Sequence, residues 1–89
     1  MSGVMFSVRV MVTPVWDQVS VPVEQATSVG EVKRRALAEA TGKQDLALPD
    51  YVVKYHGAEV FDESQTLGAL GAGANAPFIV LPARRQPVR

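Results

Sequence analysis

Apolar and polar residues alternate with a period of two from the start of the chain. Val4, Phe6, Val8, Val10 and Val12 fall on one face, and Met5, Ser7, Arg9 and Met11 on the other. Alternation built from β-branched residues predicts a strand with its valine face buried and Arg9 in water. Thr13-Pro14-Val15-Trp16-Asp17 breaks the pattern with turn chemistry, because Pro14 has no N–H for a ladder and Asp17 suits a turn. Val19, Val21 and Val23 then alternate with Gln18, Ser20 and Pro22, which predicts a second strand returning along the first. Pro22 implies that the backbone edge faces solvent there.

The period changes after Thr27. Ser28 is placed to cap a helix, and Glu31, three residues on, completes a capping box. Val29, Val32, Ala36 and Ala40 share one helical face with Leu37 beside them, while Lys33, Arg34 and Glu39 are expected to point elsewhere. Gly42 ends the helix, since glycine adopts the left-handed terminating conformation most easily. A loop over 43–50 is expected to tuck Leu46 and Leu48 beneath it. Tyr51, Val53 and Tyr55 mark a third strand, His56-Gly57 a turn, and Ala58 to Val60 a short fourth strand. Ser64 to Leu70 reads as a helical turn burying Leu67 and Leu70, and Gly71 to Pro77 as loop. Phe78 to Leu81 is a short apolar run suited to a central strand, closed by Pro82. The first and last strands are expected to pair in parallel, with the single helix across one face.

Composition narrows the function classes. Eighty-nine residues suffice for one core, and the 47% apolar content supplies it without help from disulfides. The absence of cysteine excludes a thiol nucleophile, a thiolate metal site and an iron–sulfur cluster within this sequence. Nine basic and nine acidic side chains cancel, so the surplus positive charge of a dedicated nucleic-acid binder is lacking. No apolar run approaches the ~20 residues of a membrane span, and the first residues show neither a secretory signal nor a myristoylation motif. A cytoplasmic address is the expectation.

The order of elements, and several segments within it, resemble ubiquitin-like proteins. Val19-Ser20-Val21-Pro22-Val23-Glu24 looks like that family's second strand, and Ser28-Val29-Gly30-Glu31-Val32-Lys33 like its helix start. Val53 to Val60 resembles the strand–turn segment around the family's glycine, and Asp62-Glu63-Ser64-Gln65-Thr66-Leu67 its acidic turn followed by Thr-Leu. The resemblance implies an α+β fold of the β-grasp type: a mixed four- to five-stranded sheet with one helix packed across it. It spans 4–82, with a flexible N-terminus over 1–3 and a basic, disordered tail over 83–89. It extends more loosely to bacterial ubiquitin-like proteins of type VII secretion systems, and the Ala, Val and Arg richness is compatible with a bacterial source.

The departures from the family shape the functional expectation. Conjugated modifiers and sulfur carriers end in Gly-Gly, which threads the narrow channel of an activating enzyme. Here no glycine follows Gly73, and Pro82 and Pro87 stiffen the segment. A non-conjugated adaptor or subunit is therefore expected ahead of a modifier or sulfur carrier made by processing; an accessory subunit of a multicomponent enzyme is a further alternative. The family's apolar recognition patch has an isoleucine where Lys54 stands, Val80 matches an aliphatic member of that patch, and Pro14 and Val15 lie in the contributing hairpin loop.

The expected contact surface is the sheet face not covered by the helix, with Val15, Trp16, Lys54, His56 and Val80 as binding residues for a protein partner. Trp16 can serve as an interface anchor or fold down over the core edge. His56, the only histidine, has no partners at ligand spacing and no adjacent nucleophile, so it reads as a turn residue; no catalytic, metal or cofactor site is expected. Lys33, Arg34 and Arg35 splay around the helix and read as a solvated face. Arg84 and Arg85, with Arg89, form a tail for contact with an acidic partner, for solubility, or as a linker start. Gly71 to Asn75 lacks the lysine and following helix of a phosphate loop. Exposed sheet edges permit a monomer or a weak dimer.

Overall fold

The computed structural model describes residues 5–42 and 50–83. The expectations for 1–3, for Leu46 and Leu48, and for the tail contacts Arg84 and Arg85 lie outside the described residues.

Strands β1 (Phe6–Val12) and β2 (Asp17–Val23) form an antiparallel hairpin through a 3-10 turn at Thr13–Val15. Helix α1 (Val29–Thr41) follows, then β3 (Tyr51–Tyr55), β4 (Ala58–Glu59), the short helix α2 (Leu67–Leu70) and β5 (Pro77–Pro82). The strands form one five-stranded sheet in the order β2-β1-β5-β3-β4. Pairing of β1 with β5 is parallel, with Arg9 opposite Pro77 and Val12 opposite Val80, and every other pairing is antiparallel. This is the α+β arrangement of one helix across a mixed sheet that the sequence pattern predicts.

The core follows from that register. Val8, Val10 and Val12 of β1, Val21 and Val23 of β2, Val53 of β3, and Phe78 and Val80 of β5 share the face turned to α1. Val29, Val32, Ala36 and Leu37 meet them from the helix. Each fully buried valine or leucine contributes roughly 1.5–3 kcal/mol of transfer free energy. The valines of the hairpin therefore matter as a set, because their β-branching fits both the pleat and the burial.

The two helix starts satisfy each other. A helix leaves its first N–H groups without intrahelical partners. In α1, Val29 N and Gly30 N donate to the carbonyls of Gln65 and Glu63, each at 2.9 Å. In α2, Leu67 N and Gly68 N donate to the carbonyls of Thr27 and Gln25 at 3.0 and 2.9 Å. Ser28 and Thr66 cap their helices, accepting from Glu31 N and Ala69 N, each at 3.1 Å. The chains come so close that a Cβ on Gly30 would stand 3.4 Å from the Glu63 carbonyl oxygen, and one on Gly68 3.4 Å from that of Gln25. Replacing Ser28 by alanine removes the cap and is expected to cost about 1 kcal/mol, read as a lowered urea midpoint with an unchanged m-value.

The helix also corrects one expectation. Lys33 does not lie in water; it is 3% exposed. Its ammonium donates to the Tyr51 carbonyl at 2.9 Å and pairs with Glu63 Oε1 at 2.7 Å. Arg34 and Arg35 do stay near the surface, where both engage the Glu31 carboxylate. The hydrogen bond from Arg34, with that from Arg35 and the two positive charges, holds the Glu31 carboxyl below its usual range against the opposing effect of burial. Arg35 Nη1 also donates to the Pro22 carbonyl at 2.8 Å. Pro22 thus sits on the outer edge of the sheet, without an N–H and with its carbonyl covered, which blunts that edge for pairing.

Candidate functional site

The face of the sheet opposite α1 is built by the residues that alternate with the core. Register places Gln18, Met11, Ile79, Lys54 and Glu59 in one row across all the strands. The next row pairs Leu81 of β5 with Val52 of β3. A shallow groove of about 800 Å³ lies there, lined by Thr13, Val52, Lys54, Glu59, Leu81, Pro82 and Ala83. Its floor is apolar where Leu81 meets Val52, and its side toward β4 carries the opposed charges of Lys54 and Glu59. Ile79 is 39% exposed beside it, in the central strand and with no helix above it.

The sequence-predicted binding residues do not form one patch. Lys54 is on the open face, as expected, half-buried between Ile79 and Glu59. Val15 and Trp16 cap one end of the sheet. Trp16 is 80% exposed and does not fold over the core edge; a left-handed backbone (φ 51°) follows the 3-10 turn and carries its ring outward. His56 lies at the opposite end, exposed in the tight β3–β4 turn. Its φ of 55° and that of Gly57, 82°, are both positive, as a type I′ hairpin requires. The His56 ring rests edge-on against Tyr55, with centroids 4.2 Å apart.

Val80 needs a correction. It is fully buried, paired with Val12 on one side and Val53 on the other, and faces α1. The parity of β5 puts Phe78 and Val80 inward, so the aliphatic side chains offered on the open face are Ile79 and Leu81. Sequence reasoning missed these two because Phe78-Ile79-Val80-Leu81 is apolar throughout and shows no alternation; Met11 is legible on the face away from the valines of β1, but nothing in the sequence singles it out for contact. The available signal was pairing: once β5 is set between valine-bearing β1 and β3, its inward positions must match theirs.

The arrangement offers an apolar strip with an ion-bearing rim. Among the described residues no group of His, Asp or Glu is disposed to hold a metal ion. No helix among them is long and apolar enough to cross a membrane.

No protein-family model matches the chain, and no curated protein matches it by sequence. Solved structures do match it in shape. Ubiquitin of Caldiarchaeum subterraneum superposes with a TM-score of 0.73 at 15% identity, covering 93% of this chain and 99% of that one. The ubiquitin-like domain of an Arabidopsis thaliana protein superposes with a TM-score of 0.72 at 16% identity, covering 96% of this chain and 84% of that one. ATBAG1, in a crystal structure in complex with HSP70, gives a TM-score of 0.70 at 19% identity, covering 86% of this chain and 40% of that one. The fold of this chain is ubiquitin-like.

Proposed function

We propose that this protein is a ubiquitin-like interaction module, an adaptor or non-catalytic subunit, that binds a protein partner through the open face of its sheet. The observation that carries the reading is the uncovered strip of Ile79, Leu81, Val52 and Met11 across the central strands. In a sheet of this size an uncovered apolar strip flanked by polar groups marks a contact surface. Trp16, exposed at the end of the sheet, supplies a large amphipathic anchor of the sort enriched at hot spots. The opposed Lys54 and Glu59 would orient the partner rather than supply affinity. One of the fold neighbours, ATBAG1, is itself seen in a protein complex, which accords with a binding role for the fold. The reading takes the protein to be cytoplasmic and monomeric or weakly dimeric.

The test is affinity purification of the full chain from its native host, identification of the bound protein, and titration calorimetry of the purified pair. Ile79→Glu and Leu81→Asp place charges on the strip without touching the core. Each is expected to weaken binding by at least about tenfold, equivalent to ~1.4 kcal/mol, with an unchanged far-UV spectrum. Retained affinity in both variants would move the contact away from this face. Trp16→Ala is expected to give a loss of similar size if the partner reaches the hairpin loop.

A further inference from the structure

Phe61 is 85% exposed, more than any other large apolar side chain described, and nothing in the open sheet face accounts for it. The backbone fixes this exposure. Val60 N donates to the Val53 carbonyl at 2.8 Å, which continues the β3–β4 pairing by one residue and drives the Val60 side chain into the core. Extended alternation then turns Phe61 outward. On its other side Asp62 is anchored: its Oδ1 accepts from Ser64 N at 3.1 Å and from Ser64 Oγ at 2.5 Å, and its carbonyl accepts from Gln65 N at 3.1 Å. The phenyl ring is therefore presented from a tied segment, not from a free loop.

Beside it lies a groove of about 390 Å³ between the β3–β4 hairpin and α2. Tyr55, Val60, Phe61 and Leu70 supply its apolar lining, and Asp62 and Glu59 its charged rim. No lysine or arginine lines it among the described residues. Glu59 stands opposite Lys54 on the sheet, and Asp62 is the acid that follows Phe61 directly along the groove. The Ser64 hydroxyl and amide bonds hold the Asp62 carboxyl below its ordinary range, which keeps it ionised throughout neutral and mildly acidic conditions.

We infer that this groove is a second docking surface, for a basic protein segment that seats one aliphatic side chain against Tyr55, Val60 and Leu70 and lays an arginine or lysine over Phe61 beside Asp62. The argument is complementarity. An exposed aromatic face attracts a cation, guanidinium above all, and an adjacent carboxylate adds a charge-assisted partner for the same group. An acidic segment, or an anionic lipid surface, would be repelled by the same rim. A groove tied by backbone hydrogen bonds on both sides costs little to organise on binding.

The experiment is an amide-resolved NMR titration of the full chain with three synthetic peptides: one with a leucine flanked by arginines, one with the leucine replaced by glycine, and one with the arginines replaced by glutamates. The expected result is saturable shifts at Val60, Phe61, Asp62, Gln65 and Leu70 with the first peptide. Affinity should be about tenfold weaker with the glycine peptide and with the Phe61→Ser and Asp62→Asn chains, and no binding should occur with the glutamate peptide. Four outcomes would overturn the inference: no shifts at millimolar peptide, shifts confined to the open sheet face, equal binding of the glycine peptide, or shifts at Phe61 that follow protein concentration without peptide. The last would assign the groove to a second copy of this chain. Both variants change exposed side chains, so each should keep the parent amide spectrum elsewhere. A negative result here leaves the open-face reading standing, because the probes and the variants differ.

Discussion

Phe78→Ala is expected to destabilise the protein by roughly 3–5 kcal/mol, the cost of removing a fully buried phenyl ring and leaving a cavity. Phe78 is 1% exposed in the central strand, opposite Val10 on β1 and Tyr55 on β3. Its ring stacks on that of Tyr55 with centroids 4.8 Å apart and an interplanar angle of 23°. The parallel pairing of β1 with β5 depends on this site, since no local turn holds those strands together and only their side chains and ladder do. A domain of this size has ~5–15 kcal/mol of stability in all, so the substitution should bring many molecules near the unfolding threshold. Phe78→Leu retains most of the volume and should cost about 1.5 kcal/mol or less. Urea unfolding of the three chains, followed by far-UV signal, checks both values. A loss under about 1 kcal/mol for the alanine variant would contradict the placement of β5 at the centre of the core.

Phe78 also shows where reading from sequence stops. The hairpin and α1 were legible because their signals are local. Valine at every second position declares a half-buried strand, and Ser28 with Glu31 declares a helix start, whatever the rest of the chain does. The centre of the sheet carries a weaker signal. A run of four apolar residues from Phe78 to Leu81 says that a strand is buried but not which parity faces the helix. For that reason the sequence alone puts Val80 on the contact face and leaves Ile79 unmarked. Only the register with Val12 and Val53, set by distant segments, decides it. Lys33 fails for the same reason in reverse. Its neighbours on the helix mark it as flanking the core, and lysine ordinarily stays wet; its burial makes sense only once Tyr51 and Glu63 arrive from elsewhere in the chain. Trp16 was legible as a loop residue, but not its outward aim, which rests on a left-handed backbone that a tryptophan rarely adopts.

The asymmetry of the Lys33–Glu63 pair leads to the second large effect. The side chains are unequally buried, at 4% exposure for Lys33 and 29% for Glu63. Removing the less buried partner should therefore hurt more. Glu63→Ala takes the carboxylate from an ammonium that is almost out of reach of water and keeps its bond to the Tyr51 carbonyl, which moves the cost toward the ~3–5 kcal/mol of breaking a buried ion pair. Lys33→Met keeps the alkyl stem in place, removes the charge, and lets Glu63 turn into solvent. Its cost is then that of the lost bonds to Glu63 and to the Tyr51 carbonyl, about 1–3 kcal/mol. The double variant should be little worse than Lys33→Met alone, because the damage in Glu63→Ala comes from a buried ammonium left without its counter-charge, and Lys33→Met removes that ammonium. Urea midpoints of the four chains form a double-mutant cycle that measures the coupling directly. If Glu63→Ala proved milder than Lys33→Met, the ammonium would have to find other compensation, and the tie that holds α1, β3 and the turn before α2 together would not run through this ion pair.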